Sequence, residues 1–414
     1  MAALNPTGLA AARVARESYG RLIAYLAARD RDVPAAEDAL GDAFAVALET
    51  WPRDGLPKNP EGWLVVAASR RLADMARRRR TASEAEGGLA LIAEELAVIG
   101  ENPVPDRRLL LMFACAHPAI EPGVRAPLML QTILGLDAAA IASAFLVSPA
   151  AMGQRLARAK ARIRDAGVPF REPTPELWPE RIGAVLDAIY AAFAHGWLET
   201  FGDDPRGRNM AEEAIWLGRV AAELAPAEPE TEGLVALMLY AHARRKARRD
   251  AMGRFVPLSE QNVRLWDHQA IDEAERRLAA AGARGRLGRF QIEAAIQSAH
   301  AARRLTSSTD WRAIASLYDA LLTLTGSAVV AVNRAVAIAE ARGATEGLAA
   351  LDAIDAGGAL AEFQAYWAAR ADLEARSGRA AAKDSYARAI GLETDPAVRA
   401  FLLERLRAFE ERRS

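Results

Sequence analysis

Two runs of cationic side chains stand out in a chain of 414 residues whose formal net charge is only -1. One begins at Arg70 and Arg71 and closes in Arg77-Arg78-Arg79-Arg80, with Trp63 upstream; the other spans Arg155 to Arg171 and is preceded by Gln154. Guanidinium and ammonium groups neutralise phosphates, Arg and Gln side chains read base edges, and an aromatic face accepts an unstacked base. Trp63, Arg70, Arg71, Arg77 and Arg78 on one side, and Gln154, Arg155, Arg158 and Lys160 on the other, therefore offer the chemistry of nucleic-acid binding. Each has a plainer reading as well. Trp63 suits a core aromatic, and the arginine run suits a solvated helix end favoured by the helix dipole.

Other chemistry is hard to find. The histidines His117, His195, His242, His268 and His300 are scattered singly, with no spacing that sets two ligands on one helix face. The single cysteine, Cys115, lies among Leu111, Met112 and Phe113, which points to burial and leaves no disulfide framework. Neither a Walker-type phosphate loop nor a Gly-x-Ser-x-Gly elbow is present. The expectation is a protein that is not an enzyme and needs no cofactor or metal. A lone cysteine, with no signal peptide and no long apolar run, suggests a cytoplasmic location away from the membrane.

The elements that must position the basic residues read as helices, and the chain as all-α, since about half its residues are apolar and only 6% aromatic. Val14, Tyr19, Leu22, Ile23 and Leu26 share one helical face, and Leu40, Phe44, Ala47, Leu48 and Trp51 a second. Residues 52–60 read as a loop, after which Asn59 and Pro60 open a third helix ending in the arginines. Residues 81–106 read as a linker. From Arg107 a second compact unit carries Leu109, Leu110 and Phe113. Within it Asp137 caps a short helix, and after the turn Leu146-Val147, Ser148 and Pro149 open another. That is the outline of a helix-turn-helix. A Pro-rich connector at 170–179 marks a boundary, and beyond it Tyr318, Leu351 and Tyr386 recur at about the tetratricopeptide (TPR) period.

Two signatures in this order resemble an extracytoplasmic-function (ECF) RNA polymerase sigma factor of the sigma-70 family. Ala36-Glu37-Asp38-Ala39-Leu40-Gly41-Asp42-Ala43-Phe44, then Trp51-Pro52-Arg53-Asp54-Gly55 and Asn59-Pro60-Glu61-Gly62-Trp63-Leu64, look like sigma region 2. Arg107 to Pro118, the helix-turn-helix and Met152 to Lys160 are similar to region 4. The resemblance implies that Glu37, Asp38, Asp42 and Phe44 bind polymerase at the β′ clamp helices. It places Trp63, Arg70, Arg71, Arg77 and Arg78 on melted minus-ten DNA. Ser148, Met152, Gln154, Arg155, Arg158 and Lys160 fall on the minus-thirty-five duplex, with region 4 against the β flap. Gly41 replaces a common Gln, Gly153 removes one base contact, and Pro127 implies a later start or a kink in its helix.

Downstream, Ala241 to Asp250, Asp310-Trp311, Leu317-Tyr318-Asp319 and Val332 to Ala337 resemble the TPR-like extension of one ECF subgroup, although Ala194-His195-Gly196-Trp197 departs from its usual Asn-Glu-Gly-Tyr. The implied architecture is a region 2 bundle (1–80), a linker (81–106), a region 4 helix-turn-helix domain (107–170), a helical extension (176–285) and TPR-like helical repeats (286–414). The expected partners are core RNA polymerase, double-stranded and melted promoter DNA, and a peptide or protein on the repeats, with regulation in cis. Two other readings stand beside this one: a TPR-like scaffold with a degenerate sigma half, and a helix-turn-helix regulator that is not a sigma subunit.

Overall fold

The computed structural model describes residues 6–79, 103–145, 147–198, 210–354 and 360–412. Among them every regular element is a helix, and strand-type pairing is confined to an isolated bridge between Arg249 and Phe255. The protein is all-α. Its helices gather into two compact units, Met1–Ala225 and Pro226–Ser414.

Unit 1 contains α1 (Pro6–Asp30), α2 (Val33–Asp54), α3 (Pro60–Arg79), α4 (Arg108–Cys115), α5 (Pro122–Leu134), α6 (Ala138–Ala144), α7 (Pro149–Asp165), α8 (Trp178–Leu198) and α9 (Met210–Leu224). Helix α1 is the hub. Leu22, Ile23, Ala24, Leu26 and Ala27 are fully buried, because α2, α3, α4 and α5 all pack against this one helix. The approach of α5 is close enough that only hydrogen fits on residue 20: a Cβ added to Gly20 would collide with the backbone carbonyl of Ile133. The two stretches that the sequence separates by a linker are thus fused through a shared core, while most of that linker lies outside the described residues.

Several helix ends follow from local chemistry. The Asn59 Oδ1 accepts from Gly62 N at 3.0 Å, and Ser148 Oγ accepts from Ala151 N at 3.2 Å with Pro149 next in line, as their sequence pattern requires. Other ends differ from expectation. Helix α2 continues through Pro52 and stops at Gly55, whose φ of 88° closes it. The hydrogen bond that Pro52 cannot donate would have gone to Leu48, which is exposed, so water can serve that carbonyl. Helix α5 starts at Pro122 and runs on past Pro127 rather than beginning after it, Pro122 supplying the fixed φ of a first turn. The Pro-rich segment at 170–179 does not end the unit: α8 packs on α4 and α5. Its apolar face of Ile182, Val185, Leu186 and Ile189 is buried there, and Trp178 meets Phe113 edge-on at 5.2 Å.

Unit 2 contains α10 (Pro229–Ala243), α11 (His268–Gly282), α12 (Arg289–Ala301), α13 (Arg303–Thr306), α14 (Trp311–Thr325), α15 (Ala328–Arg342), α16 (Ala344–Asp352), α17 (Gln364–Arg376), α18 (Ala382–Leu392) and α19 (Pro396–Glu411). From α12 onward the apolar residues form three successive clusters, centred on Ile314, on Leu348 and on Tyr386, so each helix pair is buried mainly by its neighbours. A long connection, 244–267, carries three single 3-10 turns. It is held at both ends of the unit: Arg303 donates to the carbonyls of Ser259 and Gln261, Arg405 pairs with Glu260 at 2.8 Å, Arg249 pairs with Asp395, and Phe255 meets Phe401 at 5.4 Å.

The contact at Gly20 carries a direct expectation. Gly20→Ala overpacks the α1–α5 crossing and should lower the stability of unit 1 by about 1–3 kcal/mol, seen as a lower denaturation midpoint. An unchanged midpoint would mean that the two helices are free to separate.

Candidate nucleic-acid interface

Helix α7 has two faces of opposite character. Met152, Leu156, Ala159 and Ile163 recur at helical spacing and are all buried. The opposite side exposes Gln154, Arg155, Arg158 and Arg162. Among the residues singled out for base contact, Met152 is therefore to be corrected: at 1% exposure it anchors α7 to the core and cannot reach a groove. Ser148 is exposed, but its hydroxyl is used as the helix cap. Arg162 is the residue that sequence reasoning passed over. Its signal was present, since it follows Arg158 by one helical turn on the same face.

Around α2 and α3 the polar set is also at the surface. Asp38 and Asp42 are exposed a turn apart on α2, and Asp42 pairs with exposed Arg71 at 2.8 Å. A pair this open contributes little to stability and leaves both groups available to partners. Arg70 is exposed beside it. Trp63 is half-buried, edge-on to the fully buried Trp51 at 5.6 Å, so it serves the core while keeping part of its ring at the surface. Phe44 is likewise half-buried. The side chains of Arg77 and Arg78, and those of His195 and Trp197, lie outside the described residues. Leu48, expected in the apolar stripe, is instead 54% exposed, with Val46 and Leu56 also at the surface.

Glu37 and Lys160 behave differently from these exposed residues. They come from α2 and α7, and they form an ion pair of 2.6 Å with side chains only 18% and 12% exposed. The Glu37 Oε2 accepts from Lys160, while Oε1 is shielded from solvent and has no partner. Burial pushes the Glu37 carboxyl above the usual carboxylate range, Lys160 opposes this, and Asp38 adds to it. Nearby, burial and then Glu37 push the Tyr19 phenol up. The Cys115 thiol is pushed up to about 12, chiefly by its complete burial. With Thr132 Oγ1 at 3.5 Å it is a structural residue, as its apolar surroundings in the sequence predict. Among the described residues no group of three or more His, Cys, Asp or Glu side chains could hold a metal ion, and no helix is long and apolar enough to cross a membrane.

Residues 181–282, from within α8 to the end of α11, match a family of unknown function, DUF6596. The chain is 37% identical to the Uncharacterized protein R00370 of Rhizobium meliloti (strain 1021) over 393 residues, which is 93% of this chain and 92% of the relative. It belongs to that protein's family. The shared length covers both compact units. No solved structure matches the chain.

The buried pair sets the expectations for this site. Lys160→Met strands the Glu37 carboxylate and should destabilise unit 1 by about 3–5 kcal/mol, whereas adding Glu37→Gln to it should restore part of the loss. The raised Glu37 pKa fixes the sign of its pH dependence. Its contribution is complete at acid pH, below the ordinary carboxylate range, and is lost as pH rises through the raised folded value. Denaturation midpoints compared across pH 4 to 8 should show that loss in the native sequence, and a flatter profile in Glu37→Gln.

Proposed function

We propose that the chain is an alternative sigma factor of the ECF type, which binds core RNA polymerase, reads promoter minus-ten and minus-thirty-five elements and assists opening of the duplex. The observation that carries this reading is the α6–α7 pair: a short helix and a tight turn lead into a capped helix whose inner face is apolar and whose outer face is Gln154, Arg155, Arg158 and Arg162. Such a face suits the major groove, where Arg and Gln pair with base edges and further cations hold phosphates. Support also comes from α2. Exposed Asp38 and Asp42 next to exposed Val46 and Leu48 offer a mixed acidic and apolar surface of the kind that docks on another protein. Trp63, Arg70 and Arg71 on α3 then face the melted strand.

In this reading the Glu37–Lys160 pair holds the free protein closed. It joins a polymerase-binding residue to a DNA-binding one, so neither is available until α2 and α7 part. Polymerase on the acidic side and phosphates on the basic side would each replace the lost partner. The helical stack of unit 2 takes the place of a TPR-like extension acting in cis, and its surface is suited to a peptide or protein partner.

The deciding experiment adds the purified protein to sigma-free core polymerase from its host, on a genomic fragment library, and maps the 5′ ends of the transcripts. Specific starts that share two spaced upstream motifs are expected. Arg155→Ala with Arg158→Ala should weaken promoter binding by roughly tenfold or more, at about 1–3 kcal/mol per lost base contact. Absence of core binding and of transcripts, from both the full chain and a chain ending at Ala225, would sink the proposal.

A further inference from the structure

Several arginines of unit 2 are flanked by two carboxylates. Arg277 lies between Glu232 and Glu273, Arg370 between Asp352 and Glu374, and Arg376 between Glu340 and Asp372. Arg244, at the end of α10, breaks the pattern. Its Nη2 donates to the neutral Gln297 Oε1 on α12, while its Nη1 is shielded from solvent and has no partner. The charged groups acting on it are Arg248 and Arg303, both cations. In the 244–267 connection Asp250 pairs with Arg254, Glu260 with Arg405, and Asp267 caps α11; outside it Asp272 pairs with Arg304, and Asp395 pairs with Arg249 and also acts on Arg248.

We propose that unit 2 contains a binding site for a small oxyanion, a phosphoryl or carboxylate group, with Arg244 as its principal donor and the charges of Arg248 and Arg303 completing it. A buried guanidinium among like charges is costly unless a counter-charge joins it. A planar guanidinium with one Nη unused is matched by an oxyanion, which accepts parallel N–H bonds and supplies the missing negative charge. The surroundings already register the imbalance. Burial, then Arg248 and Arg303, push Arg244 down to about 10, and burial, then Arg244 and Arg303, push the His300 imidazole down to about 4. The ligand is small because Arg244 is recessed: it is half-buried, whereas Lys246 two residues on is exposed. A long polyanion would meet Lys246 first. This site is independent of what unit 1 does.

Calorimetric titration of the full chain with inorganic phosphate, at constant ionic strength in chloride, tests it. Saturable one-to-one binding is expected, with a rise of roughly 3 °C in the unfolding midpoint at phosphate about tenfold above half-saturation. Lys246→Ala should keep that binding, whereas Arg244→Met should abolish it. Should Arg244→Met not fold, Arg244→Lys replaces it, with binding expected to weaken at least tenfold because the planar fork is lost. A parallel titration with acetate separates the two ligand classes: tighter phosphate binding assigns a phosphoryl group, tighter acetate binding a carboxylate. No saturable binding of either ion to the native chain would overturn the site, as would equal binding by the Arg244 variant. Loss of binding in Lys246→Ala would show exposed charge alone and would overturn it too.

Discussion

Taking a carboxylate out of water is tolerated only where a counter-charge stands at contact distance, and in unit 1 that requirement falls on Glu37. Lys160 meets it from a helix 123 residues further along the chain. For the two to meet, α2 and α7 must keep a fixed mutual position, and Gly20 must let α1 close on α5. The outward direction of every other polar group on these helices then follows. With Glu37 turned inward, Asp38 and Asp42 are carried to the surface, and with Lys160 turned inward, Gln154, Arg155 and Arg158 face away from the core. One inner pair thus orients two outer surfaces.

Unit 2 packs mostly between neighbours. Its apolar clusters follow one another along the chain, and several of its cations are paired with acids from the same or nearby helices, while Arg249 and Arg405 reach across the unit. At Arg244 a shielded guanidinium nitrogen without a partner sits among other cations. Departures of this kind, where satisfying the fold alone would favour another residue, are where binding properties are expected to reside.

Much of this was legible from the sequence because it depends on near neighbours. Asn59, Asp137 and Ser148 accept from backbone N–H groups three residues ahead, and each is recognisable by type and position. The helices themselves follow from periodicity. What escaped reading depends on distant chain. Leu48 shares its apolar stripe with Leu40, Ala47 and Trp51, yet it alone of these is exposed, and only the neighbours brought by the fold decide that. Pro52 and Pro127 suggest breaks, but the carbonyls they leave unserved, those of Leu48 and Gly123, belong to exposed residues that water can reach. Of the candidate interface residues, the exposed Gln154, Arg155 and Arg158 of α7 could be named in advance. The inward turn of Lys160 could not, since nothing within a few residues of it reveals Glu37.

The clamps on the 244–267 connection have a consequence for how unit 2 comes apart. A row of helix pairs that touch only their neighbours can fray from its free end, one pair at a time. Here α19 and its cap hold the start of the row through Asp395 and Phe401, whose partners Arg249 and Phe255 precede most of the stack in the chain. Loosening α19 therefore frees the connection as well, and strain applied at the connection is felt at α19. The unit behaves less like a string of separable modules than like one cooperative body, in which α19 completes the environment of the 244–267 connection.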